Sequence, residues 1–334
     1  MKNDFNKKIV SVFNSYFPQA KELAHYLTDT LDLSRESVYR RLRSEVPFSF
    51  EEICIVAQDL DLSIDKLIGL KNTDTVYFDL KMHPSAKPEN VFLEILQDNI
   101  EIMWKLQKSG TFKMYFVLNR LPFCFTLTQK ILSKFYYYKW CVNALKGDLD
   151  CDFSTFTVPD IVYEKHRQYI MNDNLLTGEM IMILDENIFL YMIKEIDYFR
   201  RRGLLNSNDL IDLQQGLLQA VDRMEHMVRT GTGSSGAKIR IYLSAIDIEP
   251  SYLYAEYGDK VSISFWSPQS ELATTHNPVF CAQKKEWIES LTRYTTLITQ
   301  CNEMEQTSFF STQRSLINAM RFGIPAIKHE VLYR

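Results

Sequence analysis

Four of the first seventy-four residues' ten basic side chains fall between Arg35 and Arg43, in the stretch RESVYRRLR. Guanidinium groups at that density suit phosphate oxygens and guanine edges, both of which accept paired hydrogen bonds. Ser34 stands just before the stretch, where its hydroxyl can accept from the unpaired amides of a first helical turn. Val38 and Leu42 repeat at four residues and point inward, which leaves Arg35, Glu36, Tyr39, Arg40 and Arg43 on the outer face. Such a helix fits a major groove. On that reading Arg35, Ser37, Tyr39 and Arg40 lie nearest base edges and phosphates, with Ser34 at the entry, and Arg43 meets backbone farther along. Arg35 and Arg40 are the candidates for guanine contacts. Glu36 can accept from a cytosine amine or simply favour the helix N-terminus by its charge. The plainer reading is a solvated arginine face: residues 1–74 hold ten Lys/Arg against twelve Asp/Glu, so the segment as a whole is not basic.

Other chemistry-bearing patterns fail on context. Gly231–Gly236 fits GxGxxG, but a helix precedes it and a strand follows, the reverse of what a dinucleotide fold needs. A flexible connector is expected there. Asp148, Asp150 and Asp152 imitate a calcium loop, yet Phe153 stands where glycine is required and Pro159 where a bidentate glutamate is required. No histidine pair falls at i, i+4, and no HExxH or GxSxG occurs. No cofactor, no metal and no catalytic residue is expected.

The elements around the arginines explain how they would be held. Leu27 and Leu31 lie one helical turn apart and Leu33 closes the corner before Ser34. A capping box, Ser49-Phe50-Glu51-Glu52, opens a further helix with Ile53, Val56, Ala57 and Leu60 in one stripe. Ser63–Ile68 reads as a short closing helix. A first helix is expected over Phe5–Phe17, with Pro18 starting the next.

Residues 5–70 resemble the helix-turn-helix domain of the Cro/repressor type, often called the XRE family. The resemblance lies in Leu27–Gly69, above all in SFEEICIVAQDLDLSIDKL, and it implies an all-α DNA-binding domain with Ser34–Arg43 as recognition helix. Three positions depart from the family pattern. Asp32 replaces the usual corner glycine, Thr28 a small alanine, and Ser44-Glu45 a glycine after the recognition helix.

At 334 residues, with 46% hydrophobic and 13% aromatic content, the chain has material for a second, larger domain. Its net charge of −4 supplies no global field toward nucleic acid or membrane. No apolar run approaches a membrane span, the start carries no secretory signal, and six scattered cysteines read as free thiols. A cytoplasmic location without membrane contact is expected.

The organisation expected is therefore a helix-turn-helix domain over 1–72 and an α+β region over 76–334 with an antiparallel sheet and flanking helices. A strand is expected over Thr75–Lys81, a helix over Lys87–Ser109, a strand over Thr111–Leu118 and an aromatic helix over Leu127–Leu145. Asn206, Ser207 or Asn208 can cap a helix to Arg229 whose Leu210, Leu213, Leu217, Ala220, Met224 and Met227 form a packing seam. Leu218, Val221 and Val228 widen that seam, which favours the chain's own core over a coiled coil with a second copy. Period-two runs follow around Ile239–Leu243, Tyr252–Tyr257 and Val261–Phe265, with Gly258-Asp259 as a hairpin turn. Helices Lys284–Gln300 and Glu303–Phe322 would cover this meander.

The function expected is a transcriptional regulator bound to double-stranded DNA as a homodimer, with residues 76–334 serving dimerisation, small-molecule sensing or both. Phe135–Trp140 and Tyr252–Trp266 can line an effector pocket or simply fill the core. The alternatives are an adaptor that docks protein on the same helices, and an enzyme with an accessory N-terminal domain.

Overall fold

In the computed structural model, which describes residues 2–17, 19–60, 62, 76–81, 83, 87–144, 151–266 and 271–322, contacts divide the chain between Thr75 and Val76. The first unit is helical: α1 (Lys2–Tyr16), α2 (Ala20–Leu31), α3 (Arg35–Leu42) and α4 (Phe50–Asp59). Pro18 and the expected helix Ser63–Ile68 lie outside the described residues. Ile9, Phe13, Leu23, Leu27, Val38, Phe48, Ile53 and Val56 are buried together and form its core. Asn6, itself buried, ties α1 to the connection after α3. Its amide donates to the Arg41 carbonyl and to Ser44 Oγ, both at 3.0 Å, and accepts from the Phe48 amide at 2.9 Å. Two of the positions where the resemblance expects glycine carry a left-handed backbone: Asp32 at φ 49° and Ser44 at φ 59°. Aspartate visits that region more readily than most residues, because its short polar side chain bonds locally.

The second unit holds an eight-stranded sheet. In chain order its elements are β1 (Asp79–Leu80), α5 (Pro88–Lys108), β2 (Phe112–Leu118), α6 (Phe123–Thr126), α7 (Lys130–Ala144), α8 (Asp160–Asp173) and β3 (Glu179–Asp185). There follow α9 (Ile188–Arg201), α10 (Ser207–Thr230), β4 (Lys238–Ser244), β5 (Tyr252–Tyr257), β6 (Lys260–Trp266), β7 (Leu272–Thr275), α11 (Pro278–Leu291), β8 (Thr295–Leu297) and α12 (Glu303–Ala319). The strand order is β1-β7-β6-β5-β2-β3-β4-β8.

The sheet is mixed, in place of the expected antiparallel meander. β2, β3 and β4 run parallel, joined by helical crossovers; the remaining pairs are antiparallel. The correction centres on β3. Met180–Leu184 is buried on both faces and therefore shows a continuous apolar run without alternation. One sheet face, with Met114, Leu118, Met180, Met182 and Leu253, packs under helices carrying Phe92, Phe135, Phe189, Leu213 and Phe310. The other, with Tyr115, Val117, Ile181, Tyr252 and Tyr254, packs with Cys281 and Ile288 of α11.

The end of the chain differs as well. Asn277 accepts from the Phe280 amide, and Pro278 follows at a first-turn position, so the helix expected at Lys284 opens earlier. It stops at Leu291, and Thr295–Leu297 pairs at the edge against β4. The α10 seam is buried inside its own unit, with Leu213, Leu217, Ala220 and Met224 at 0% exposure. Asn206 is its cap, in a reciprocal box with Asp209. Gly231 ends the helix at φ 67°, and the glycine-rich segment is a hydrogen-bonded turn, with Gly233 N donating to Ala237 O and Gly236 N to Gly233 O. No helix follows it to receive a pyrophosphate. The Gly258-Asp259 hairpin forms as expected, between Tyr257 and Lys260.

Candidate functional site

Each unit holds a candidate site. In the first, α3 follows α2 after Asp32, Leu33 and Ser34. Ser34 Oγ accepts from the Ser37 amide at 3.3 Å and donates to Ser37 Oγ at 3.0 Å, so both hydroxyls are engaged in the cap. Val38 is fully buried beneath the helix, a contribution on the order of 1.5 kcal/mol. Ser34, Arg35, Glu36, Tyr39, Arg40 and Arg43 are exposed, and Ser37 is half-buried.

The arginines divide by role. Arg41 turns inward and meets Glu52 at the start of α4 through two hydrogen bonds, Nε to Oε2 at 2.9 Å and Nη2 to Oε1 at 2.7 Å. Glu52 also accepts from the Ser49 amide, closing the capping box. Burial pushes the Glu52 carboxyl up, but the Arg41 and Ser49 hydrogen bonds outweigh it and hold the group below the usual carboxylate range. Arg41 thus fixes α3 against α4. Arg40 and Arg43 remain outward and share Glu45, at 3.8 and 3.4 Å. Arg35 has no carboxylate partner among the described residues.

In the second unit a cavity of about 1060 Å³ opens between the sheet and α5, α7, α8 and α9. That is the upper end of the range for small-ligand sites. Met114, Phe116 and Leu118 of β2 form its floor. Asn119–Phe123 and the β4–β5 connection, Asp247–Ser251, line it beyond the strand ends. This follows the rule that open α/β sheets take ligands past the carboxyl ends of their parallel strands. The connection is braced to β2, since Asn119 donates to the Ile248 carbonyl and accepts from Ser251 Oγ.

The aromatic stretches divide between cavity and core. Tyr136, Trp140, Leu253 and Trp266 line the cavity, whereas Phe135, Tyr138, Tyr252 and Tyr254 are buried core. Three polar lining residues had no signal in the sequence: Thr126, Tyr169 and Asp173. Thr126 Oγ1 is buried without a hydrogen-bond partner. Burial lifts the Asp173 carboxyl to about 6, against a smaller opposing pull from Arg223. Lys139, also on the lining, is held by Glu195 at 2.7 Å.

All six cysteines are free, and no metal-binding cluster occurs among the described residues. No helix of the described residues is long and apolar enough to cross a membrane. No family model, curated protein or solved structure matches the chain.

Proposed function

We propose that the protein is a sequence-specific DNA-binding regulator, with α2 and α3 as a helix-turn-helix of the Cro/repressor type and the second unit as its sensing part. The observation that carries this reading is the division of the α3 arginines. Arg41 is spent on Glu52 to hold the helix, while Arg35, Arg40 and Arg43 with Tyr39 are left on the open face. Arg35 and Arg40 would read base edges, Arg43 a phosphate, and Ser34 and Ser37 would keep the helix entry in shape. One helix this short offers little discriminating contact, so a homodimer on two half-sites is part of the proposal. The cavity supports the sensing role, because it is large, mostly apolar and carries on its lining the buried Thr126 hydroxyl without a partner. A regulator of chromosomal DNA would act in the cytoplasm.

One observation favours the adaptor reading: Glu45 already draws on two of the three outward arginines, sharing its single charge between Arg40 and Arg43. Enrichment from a random duplex library separates the two. The regulator reading expects a recurring sequence, with half-sites repeated about one helical turn apart. Recovery of no common sequence by the folded protein would refute it and leave the docking role.

A further inference from the structure

The cavity has a chemical character beyond its size. Where α6, α7 and α8 meet, three rings form one wall: Phe123 stands 5.0 Å from Tyr136 and 5.6 Å from Tyr169, both edge to face. Asp173, one turn after Tyr169, is the last residue of α8. Its carboxylate makes no hydrogen bond or ion pair with any described residue. Thr126, 2% exposed, brings an unpartnered hydroxyl to the same cavity. A buried hydroxyl left in this state, and a half-buried carboxylate beside it on the lining, cost free energy that a bound molecule can restore.

The sign of the occupant follows from the surroundings. A carboxylate at a helix C-terminus adds its charge to the negative end of the backbone dipoles. Aromatic walls favour a cation again, through their quadrupoles. The competing cations are engaged elsewhere, exposed, or too weak to offset the burial of the acid. Lys139 is paired with Glu195, and Lys194 lies over the Tyr191 ring. Arg120 is exposed on the loop beyond β2. Arg223 on α10 donates to Ser234 Oγ at 3.3 Å, keeps a buried Nε without a hydrogen-bond partner, and acts on Asp173 only through space, with less effect than the acid's burial. The other titratable groups around Asp173 are a thiol and two phenols, Cys124, Tyr136 and Tyr169; burial pushes Cys124 and Tyr169 up, away from ionisation. α5 contributes only uncharged residues to the lining. An anionic ligand would be repelled there, and a neutral one would leave the acid unpaired.

We propose that this cavity binds a lipophilic amine, with the ammonium group held by Asp173 and Thr126 beside Phe123, Tyr136 and Tyr169, and the apolar body filling the remaining space. The regulatory meaning of such binding rests on the sensing role proposed above; the binding itself does not require DNA.

Three probes of one shape test it: 9-(aminomethyl)anthracene, 9-anthracenemethanol and 9-anthracenecarboxylate. Trp140 and Trp266 line the cavity and can pass excitation energy to bound anthracene, so sensitised emission from the full-length chain reports occupancy. At about pH 7.5 the amine should bind about tenfold or more tighter than the alcohol, as expected for a hydrogen bond to a charged group, and the carboxylate weakest. Asp173→Asn should lower the amine to the alcohol's affinity and leave the alcohol's unchanged. Thr126→Val, which keeps shape and charge, should weaken the amine while preserving its preference over the carboxylate. Thermal melts show that each variant is folded. Equal binding of amine and alcohol, preference for the carboxylate, no binding by any probe, or an amine preference that survives Asp173→Asn would overturn the proposal. Failure of DNA binding would leave these outcomes unchanged.

Discussion

Asp173→Asn should stabilise the second unit at neutral pH and leave it unchanged in acid. The group titrates near 6 in the folded chain against a reference of 3.8, because burial in the cavity wall outweighs the attraction of Arg223. A tenfold difference in proton affinity between folded and unfolded chain is worth about 1.4 kcal/mol, so the ionised carboxylate destabilises the fold by up to about 3 kcal/mol at neutral pH. Between about pH 4 and 6 the folded chain holds a proton that the unfolded chain has lost, so stability falls as pH rises through this window and stays reduced above it. An asparagine has no charge to desolvate. The difference between variant and parent should therefore be near zero below pH 4, grow through pH 6 and then level off. A gain of about 3 kcal/mol corresponds to roughly 6 to 12 °C in melting temperature for a domain of this size. Thermal melts of the two proteins at matched pH, taken without ligand, measure it. A difference that is absent at about pH 7.5, or constant from about pH 4 to 8, would refute the assignment of Asp173 as an unpaired, desolvated acid.

Three further outcomes are expected. Arg41→Met leaves Glu52 without its two-point partner and should cost the first unit about 1.5 to 3 kcal/mol in urea unfolding, a loss that shrinks in acid as Glu52 protonates. Asp32→Gly relieves a left-handed backbone at the α2 corner and should raise stability by about 0.5 to 1 kcal/mol in the same assay. Glu45→Gln frees Arg40 and Arg43 and should tighten DNA binding about two- to fivefold at low salt, as expected for an exposed charge pair, whereas an acidic protein partner gives no such gain on DNA.

The parts legible in the sequence were those set by local chemistry. Ser34 and Ser49 announce their helices because the cap is a contact within four residues, and Val38 with Leu42 marks the inner face. Gly258-Asp259 and the α10 seam were equally local. The parallel strand Met180–Leu184 was not, because burial on both faces removes the alternation that reveals a strand. Without β3 the neighbouring strands read as a meander. Thr295–Leu297 is too short to interrupt a helical pattern by itself. Arg41 stood outside the outer-face set that the Val38–Leu42 spacing leaves, but its pairing with Glu52 had no signal in the sequence. The cavity had no spacing to read: Thr126 and Asp173 reach its lining from helices far apart in sequence, and neither belongs to a motif.

The proposed recognition of DNA by α3 through Arg35 and Arg40 can be measured directly. The quantity is the affinity of the purified protein for an enriched duplex at roughly 50 and 200 mM salt, beside Arg35→Ala/Arg40→Ala. Site-selective binding that weakens with salt is expected of the parent. In the folded variant the expected loss is at least about thirtyfold, from 1 to 3 kcal/mol per base contact, together with loss of the preference for the enriched sequence. Equal binding by parent and variant, or salt-dependent binding without sequence preference in both, would contradict the assignment of α3 as the recognition helix.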